Sequence, residues 1–144
     1  MPPLPGLRVV RSSIHGYGVV ATRDFASGEL VAEVDGVLWR EAQGCDDTYS
    51  LWLAEGVYFD MVDQTRWINH SCEPNSQIEG EAEGDTAWAR IVAIRPIRAG
   101  EEITYDYAFP AELAEPCGCG APSCRKFIVA AEEIAELGRR ARSG

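Results

Sequence analysis

The stretch "RWINHSCEPNS", residues 66–76, decides how the fold of this 144-residue chain is interpreted. It places Cys72 in a polar turn, between Ser71 and Glu73, with no second cysteine nearby. A free cysteine usually behaves as a small buried hydrophobe, and this turn offers it no apolar neighbours. A metal ion is the alternative environment, so the sequence predicts that further ligands come from another part of the chain.

Three more cysteines lie together downstream, in the stretch "CGCGAPSC", residues 117–124. Cys117, Cys119 and Cys124 form a C-x-C-x4-C cluster, and the glycines between them let the backbone wrap closely. A structural zinc ion takes four ligands at about 2.3 Å in a tetrahedron, so three local cysteines leave one position open. Cys72 is the predicted fourth ligand, because a single cysteine in a polar turn is explained by a metal ion and not by an apolar core.

Two other interpretations of these thiols stay open at this point. One is a redox site, although C-x-C lacks the C-x-x-C spacing and the helix start of that class. The other is a set of scattered buried thiols. Five cysteines in an intracellular chain favour metal ligands or free thiols over a disulfide framework, since an odd number cannot pair completely.

Composition bounds the class of protein. A hydrophobic fraction of 46% and an aromatic fraction of 9% are typical of a globular chain, and the length suits one domain. The net charge of −10 argues against a duplex-DNA binder and suits a positively charged protein partner. An ordinary solvated acidic surface is the simpler explanation of the charge.

The expected location follows from what the sequence lacks and from its basic residues. No apolar run is as long as a membrane helix, and the first residues lack the pattern of a secretion signal. We therefore expect an intracellular protein without a membrane partner. A single lysine, Lys126, among 13 basic residues suggests a GC-rich bacterial genome and a cytoplasmic location. In a eukaryotic host the expected location is nuclear.

Short β-strands separated by glycine turns are predicted over most of the chain. Apolar residues alternate in residues 86–97, and residues 46–61 can form two strands around a central glycine turn. The single predicted helix is "FIVAAEEIAELGRRAR", residues 127–142, whose apolar residues recur at helical spacing. Gly138 is its predicted C-cap.

The stretch "HGYGVVA", residues 15–21, fits the G-x-G-x-x-A fingerprint of dinucleotide-binding proteins. That motif must open a helix inside a βαβ unit, whereas the residues that follow it here are β-branched. We therefore reject a dinucleotide site. Gly16 and Gly18 still allow a close approach of the backbone, either to a neighbouring strand or to a ligand.

Four motifs in order, "HGYG", "RWINHSCEPN", "GEEITYDYAF" and "CGCGAPSCRKF", resemble those of SET-domain protein lysine methyltransferases with a post-SET zinc segment. The resemblance runs from about Val9 to Ile128 and is closest in pattern to the trithorax-like members. It implies a mainly β fold of small curled β-sheets, in which the "YDY" chain threads the "NHSC" segment as a pseudoknot. It also implies a SET domain over residues 5–110 and a post-SET zinc segment over residues 116–128, after which the predicted C-terminal helix occupies residues 129–142.

The resemblance further implies two binding sites, one for a structural zinc ion and one for a cofactor. The four cysteines Cys72, Cys117, Cys119 and Cys124 match the zinc ligands of the family. S-adenosylmethionine is the implied cofactor, and its predicted binding residues are His15, Gly16, Tyr17, Gly18, Tyr49, Asn69, His70, Gly118 and Phe127. Asn69 would hydrogen-bond the cofactor and His70 would hold its adenine through the main chain. The last two residues of the set would cover the adenine.

Two tyrosines of "YDY" carry the implied chemistry. Tyr107 matches the catalytic tyrosine of the family, whose hydroxyl orients the substrate amine and the methyl group. Tyr105 matches the position that limits how many methyl groups fit, and a tyrosine there predicts mono- or dimethylation. Strand packing is the simpler role for both residues without the other motifs. One departure is Val34, which stands where the family commonly has a channel-lining tyrosine.

Three functions follow as hypotheses. The first is an active protein-lysine N-methyltransferase acting on a basic protein or peptide, histone or histone-like. The second is a zinc-stapled peptide-binding module of the same fold that is catalytically weak or inactive. The third is a redox-sensing zinc protein. We expect no direct contact with nucleic acid.

Overall fold

The computed structural model describes residues 4–40, 50–54, 56–108 and 114–143. In these ranges the chain forms short β-strands, two 3-10 turns and one α-helix, so the predicted mainly β fold is confirmed. None of the helical segments described has the length and apolar character needed to cross a membrane. The strands are β1 (Leu7–Arg11), β2 (Tyr17–Ala21), β3 (Leu30–Val34), β4 (Gly36–Arg40), β5 (Ser50–Ala54), β6 (Val57–Met61), β7 (Asn69–His70), β8 (Ser76–Glu83), β9 (Thr86–Ala93), β10 (Thr104–Tyr105), β11 (Glu115–Pro116) and β12 (Phe127–Ile128).

The strands of the described ranges form five small sheets. Two antiparallel sheets have three strands each, in the orders β3–β9–β8 and β4–β6–β5. Three two-stranded sheets complete the fold: β1 with β2 and β11 with β12, both antiparallel, and β7 with β10, which is parallel. The two predicted strands of residues 46–61 correspond to β5 and β6.

The hairpin of β8 and β9 shows how the sequence pattern produces a strand. Ala89, Ile91 and Ala93 are buried, as the alternation predicts. Between them, Arg90 is exposed and Val92 is half-buried. Gly84 begins the two-residue loop between the strands with a φ of +59°. This left-handed conformation favours glycine, and it joins two strands with the correct twist.

The hydrophobic core lies among these sheets and fixes the start of both strands that carry the central motifs. Its fully buried members include Val19, Phe25, Ile91 and Ile97. Ile68 directly precedes β7 and Ile103 directly precedes β10, and both side chains are also fully buried. Burying side chains of this size stabilises each by about 1.5–3 kcal/mol, so the two motif strands are anchored at their first residues.

The C-terminal helix begins later than predicted. Residues 127–128 pair with β11 as strand β12, and Val129 and Ala130 are buried before a 3-10 turn over Ala131–Glu133. Helix α1 then spans Ile134–Ser143. Gly138 lies inside this helix, so its predicted role as a C-cap is wrong. The pairing of β12 with β11 closes the cysteine-rich loop, which we define as residues 117–126. This pairing overrides the helical periodicity of residues 127–128.

Candidate active site and metal centre

The parallel pair of β7 and β10 brings the two central motifs side by side. Asn69 pairs with Thr104 and His70 pairs with Tyr105, and all four residues are buried. Parallel strands cannot be joined by a tight hairpin, so a long connection must lead from one to the other. Residues 71–103 form this connection. The "NHSC" and "YDY" segments therefore lie next to each other, as the predicted pseudoknot requires.

The buried side-chain amide of Asn69 holds the "HGYG" loop, which we define as residues 12–18. Its Nδ2 lies 3.1 Å from the carbonyl oxygen of His15 and 3.0 Å from that of Tyr17. The same nitrogen lies 3.1 Å from Ser12 Oγ and 2.9 Å from Glu102 Oε2. All four oxygens accept hydrogen bonds, and the two N–H groups of the amide are shared among them. Asn69 thereby fixes the backbone of the loop.

Glu102 is a site residue that the sequence did not single out. Ser12 Oγ lies 2.8 Å and 2.9 Å from its two carboxylate oxygens, and the N–H of Ile14 donates to the same Oγ at 2.9 Å. A Cβ at Gly18 would clash with the Glu102 carboxylate and lie 3.0 Å from Ser12 Cβ, which favours glycine at that position. The available signal was an acidic residue directly before the buried Ile103, where an apolar strand begins.

The imidazole of His70 lies between the two central motifs and is only 2% exposed. Its Nδ1 accepts a hydrogen bond from the backbone N–H of Tyr107 at 3.0 Å, and its Nε2 lies 3.4 Å from Cys72 Sγ. Burial lowers the pKa of His70; the Asp106 carboxylate opposes this shift and the Arg125 guanidinium adds to it. The imidazole is therefore neutral near pH 7. The sequence predicted only a main-chain role for this residue.

Tyr107, which lies two residues after the end of β10, is held at two points by His70 and by Ile68. Its N–H bonds to His70, and its hydroxyl donates a hydrogen bond to the carbonyl oxygen of Ile68. The ring of Tyr105 lies beside it, with 5.0 Å between the ring centroids. Burial raises the pKa of Tyr105, and the nearby Tyr107 raises it further. Tyr105 is therefore a neutral phenol that fills space and cannot act as a base near neutral pH.

The four predicted ligand cysteines come together. The Sγ atoms of Cys72, Cys117, Cys119 and Cys124 all lie within 4.8 Å of one another, and those of Cys72 and Cys117 are 3.9 Å apart. Four thiolates at about 2.3 Å from a central zinc ion would be about 3.8 Å apart, so the cluster fits this metal. Burial raises the pKa of Cys72 and of Cys117; it acts in the same direction at Cys119, but hydrogen bonds from backbone groups and neighbouring thiols lower the pKa of Cys119 to about 6. A thiolate is thus available at neutral pH.

Backbone amides of the residues after the last cysteine also face this cluster. The N–H of Arg125 lies 3.3 Å from Cys72 Sγ, and the N–H of Lys126 lies 3.3 Å from Cys124 Sγ. The carbonyl oxygen of Lys126 accepts a hydrogen bond from the N–H of Cys117 at 2.9 Å. Lys126 makes both bonds in a left-handed conformation, with a φ of +74°. The loop is thus wrapped around its sulfur atoms.

Three of the four predicted cofactor residues of the "HGYG" loop lie at the surface, and the fourth, Gly18, is buried. His15, Gly16 and Tyr17 are exposed, and Gly16 has a φ of +46°. Gly118 of the cysteine-rich loop is also exposed, and a Cβ there would lie 4.0 Å from the carbonyl oxygen of Ile14. The two loops therefore run beside each other.

Three further positions singled out in the sequence remain, of which the structure describes two. Phe127 is 39% exposed on β12. Val34 is buried in β3 opposite Ala89 and belongs to the hydrophobic core, where it supplies apolar surface and no hydroxyl. Tyr49 lies outside the residues that the structure describes.

These features define a class of small β-proteins in which two chain-distant motifs meet at a parallel strand pair beside a cysteine-rich loop. The SET-domain family model matches residues 16–108 of the chain. The chain therefore belongs to the SET-domain family, and the predicted resemblance is confirmed.

Relatives of known name share this sequence pattern. The human histone-lysine N-methyltransferase 2B is 39% identical over 142 residues, covering 83% of this chain and 5% of that protein. The histone-lysine N-methyltransferase trithorax of Drosophila melanogaster is 36% identical over 137 residues, covering 83% of this chain and 4% of that protein. The Arabidopsis thaliana histone-lysine N-methyltransferase ATXR7 is 36% identical over 154 residues, covering 93% and 10%. The chain thus spans only a small part of these relatives.

Solved structures show the same fold. The complex of KRYPTONITE with mCHG DNA and SAH has a TM-score of 0.73 and 29% identity, covering 85% of this chain and 28% of that chain. The complex of KRYPTONITE with mCHH DNA, an H3(1-15) peptide and SAH has a TM-score of 0.72 and 28% identity, covering 85% and 29%.

Proposed function

We propose that this chain is an S-adenosylmethionine-dependent protein-lysine N-methyltransferase. One observation carries the proposal: two parts of the site are fixed by hydrogen bonds to residues of, or next to, the β7–β10 pair. His70 and Ile68 fix Tyr107, and Asn69 fixes the "HGYG" loop. The names of the relatives and the SAH in the KRYPTONITE complexes support the same activity.

The exposed loops provide the proposed cofactor site. Bound S-adenosylmethionine supplies an electrophilic methyl group on a positively charged sulfur. His15, Gly16, Tyr17 and Gly18 bind its methionine part, mainly through the backbone. Gly118 and Phe127 of the post-SET segment cover the adenine. The proposed set is completed by Tyr49, Asn69 and His70.

Tyr105 of β10 and Tyr107, two residues after it, prepare the substrate amine. A free lysine has a pKa of about 10.4 and is mostly protonated near pH 7, so it must lose its proton before it can attack. Burial beside the ring of Tyr105 disfavours the charged form of the amine. Because the Tyr107 hydroxyl donates its hydrogen bond to the Ile68 carbonyl, its oxygen can act only as an acceptor toward an amine N–H. The lone pair of the amine then points away from Tyr107.

The proposed reaction follows from this orientation. With the cofactor bound, the amine nitrogen would form a bond to its methyl carbon as the bond from that carbon to sulfur breaks, and the sulfur would keep the electron pair. The product would be a protonated methyl-lysine, because the lysine ammonium has already released one proton to solvent before the attack. The contribution of the chain is orientation, since reactants held in line need no further ordering before they react.

Zinc is the proposed structural metal, bound by Cys72 and the three cysteines of the post-SET segment. The metal ties that segment to the "NHSC" turn. Gly118 of the post-SET segment lies beside the "HGYG" loop. This segment can therefore cover the cofactor only while the metal holds it against the "NHSC" turn. We therefore expect cofactor binding to be complete only in the zinc-bound protein.

The proposed substrate is a lysine in a basic protein or peptide, histone or histone-like, which suits a chain of net charge −10. Tyr105 limits the product to mono- and dimethyl-lysine, because its hydroxyl takes space beside the amine. The absence of direct nucleic-acid contact and the location of the protein stay predictions. The DNA in the KRYPTONITE complexes belongs to that protein, of which this chain covers 28%.

The test is transfer of labelled methyl groups from S-adenosylmethionine to core histones and to a mixture of basic proteins. We expect label in lysine, and a loss of about a hundredfold in rate for Tyr107→Phe. Tyr58→Phe, which removes a hydroxyl from β6, is the matched control and should keep the rate. Zinc-bound protein that is folded and binds SAH but transfers no label would instead be a peptide-binding module.

A further inference from the structure

The side chain of His70 is assigned no contact with the amine or the methyl group in the reaction described above, yet it is almost completely buried and contacts both halves of the site. One ring nitrogen faces the backbone N–H of Tyr107 at 3.0 Å, and the other faces Cys72 Sγ at 3.4 Å. Its ring also packs edge-on against the ring of Tyr107, with 5.4 Å between centroids and 65° between planes. An imidazole in this place connects the metal centre to the tyrosine.

The position of the ring proton follows from the partners. A backbone N–H can only donate, so the Nδ1 atom that faces Tyr107 must be unprotonated. A neutral imidazole carries its proton on the other nitrogen, Nε2, which faces Cys72 Sγ. The ring therefore accepts on one side and donates on the other. Reversing the tautomer would place two N–H groups against each other and leave the sulfur without this donor.

We propose that His70 is a positioning residue that couples the zinc centre to Tyr107, with Nε2–H donating to the Cys72 thiolate and Nδ1 accepting from the Tyr107 amide. The importance of Tyr107 for methyl transfer rests on the proposed function. The two hydrogen bonds do not rest on it, and they are measurable in protein that has no substrate.

The environment of Cys72 explains why the coupling has an effect. Its sulfur already faces the N–H of Arg125 at 3.3 Å, so the imidazole supplies a second donor. A thiolate that binds zinc remains negatively charged and attracts such donors, and the partners that orient a metal ligand contribute about tenfold or more to metal affinity. Around the ring, Asp106 lies 3.6 Å from Nδ1 and is itself bonded to the Arg125 guanidinium.

Two substitutions separate the two hydrogen bonds. In His70→Asn the side-chain oxygen can take the place of Nδ1, but no atom reaches Cys72. In His70→Gln the side-chain nitrogen can take the place of Nε2, but no acceptor remains for Tyr107. Ile97→Val, a conservative change in the hydrophobic core, is the control for a general loss of stability.

The first measurement is made on the metal. Zinc affinity, determined by competition with a chromophoric chelator, should fall about tenfold in His70→Asn and change less than about twofold in His70→Gln and Ile97→Val. In cobalt-substituted protein the sulfur-to-cobalt charge-transfer band should shift in His70→Asn only, because that variant alone lacks the donor to sulfur.

The second measurement is made on Tyr107. The hydrogen exchange of its backbone amide should accelerate in His70→Gln and stay slow in His70→Asn, the reverse of the order found for zinc. Equal effects of the two variants on both the metal and the amide would overturn the proposal. In the unaltered protein, nitrogen-15 NMR of the imidazole should place its proton on Nε2, and a proton on Nδ1 would overturn the proposal even if the variants do not fold.

Discussion

The guanidinium of Arg125 lies 2.8 Å from the carboxylate of Asp106 and joins the cysteine-rich loop to the "YDY" segment. The side chain of Arg125 is 14% exposed and that of Asp106 is 33% exposed, so water screens the pair only in part. Asp106 also accepts the backbone N–H of Ala108 at 2.9 Å. This ion pair ties the cysteine-rich loop to the "YDY" segment, in addition to the tie to the "NHSC" turn that the proposed metal would make.

Removing this ion pair should loosen the cysteine-rich loop. We expect Arg125→Gln and Asp106→Asn each to lower the free energy of unfolding by about 1–2 kcal/mol, as a charge-assisted hydrogen bond of this kind contributes. The double variant should cost less than the sum, which thermal unfolding would show. Arg139→Gln removes a similar contact to Glu136 on the exposed helix and should cost less than about 0.5 kcal/mol. Additive effects at Arg125 and Asp106 would contradict the pairing.

Glu102→Gln should weaken cofactor binding. The carboxylate accepts from Ser12 and from Asn69, and an amide at the same position turns an N–H group toward these donors. One unsatisfied donor costs about 1–3 kcal/mol, so affinity for S-adenosylhomocysteine should fall at least about fivefold by calorimetry. The neighbouring Glu101→Gln is the control, because the side chain of Glu101 accepts the N–H of Arg98 in a surface turn. A similar loss in both variants would argue against a special role for Glu102.

Tyr105→Phe should raise the number of methyl groups transferred. The substitution removes only a hydroxyl from a buried ring, so the fold should be retained, and the space released beside the substrate amine admits a third methyl group. Mass spectrometry of a lysine peptide should show trimethyl-lysine with the variant and mono- and dimethyl-lysine with the unaltered protein. Tyr58→Phe should give the product pattern of the unaltered protein. An unchanged pattern in Tyr105→Phe would place the limit on methylation elsewhere.

Cys119→Ser should abolish stoichiometric zinc binding. Metal analysis of the purified protein should find one zinc ion per chain, and the variant should lose most of it because a serine hydroxyl is a poor zinc ligand at neutral pH. The loss should be accompanied by weaker binding of S-adenosylhomocysteine, since the post-SET segment is no longer tied down. Cys45→Ser, outside the predicted ligand set, is expected to keep its zinc. Full zinc content in Cys119→Ser would exclude the four-cysteine centre.

Lys126→Gly and Lys126→Pro should have opposite effects. Lys126 has a φ of +74°, which strains a residue with a side chain, whereas glycine adopts this conformation freely. We expect Lys126→Gly to keep or raise Tm. Proline fixes φ near −65° and removes the N–H that faces Cys124, so Lys126→Pro should lower both Tm and zinc affinity. Ser123→Gly, at an exposed position without a positive φ, should not raise Tm. Destabilisation by Lys126→Gly would show that this conformation is not strained.

The local patterns in the sequence predicted local structure well. The alternation in residues 86–97 identified β9, and the spacing of Cys117, Cys119 and Cys124 identified three neighbouring thiols that could bind one metal ion. Both features depend on residues that are close along the chain, so a strand period or a glycine-rich turn is sufficient to place them. The start of helix α1 was missed because β12 pairs with β11, a contact that helical periodicity does not reveal.

The order of the motifs assigned roles to residues, but it did not show how those residues are held. Ser12 and Glu102 were not singled out, although they connect through Asn69 to the loop that is proposed to bind the cofactor. The side-chain role of His70 was also missed. Each of these hydrogen bonds joins segments that are far apart in the chain, so only the folded backbone determines whether the partners come within reach.

By itself, the sequence determined the family, the mainly β character and the three clustered cysteines, because these are properties of short stretches and of their order. The tertiary structure decided the environment of Cys72. The parallel pairing of β7 with β10 carries the turn after β7 to the cysteine-rich loop, and there a polar turn with one thiol becomes part of a site that suits a metal ion. Burial of Ile68 and Ile103 anchors that pairing, which is why residues so far apart in the chain share one site.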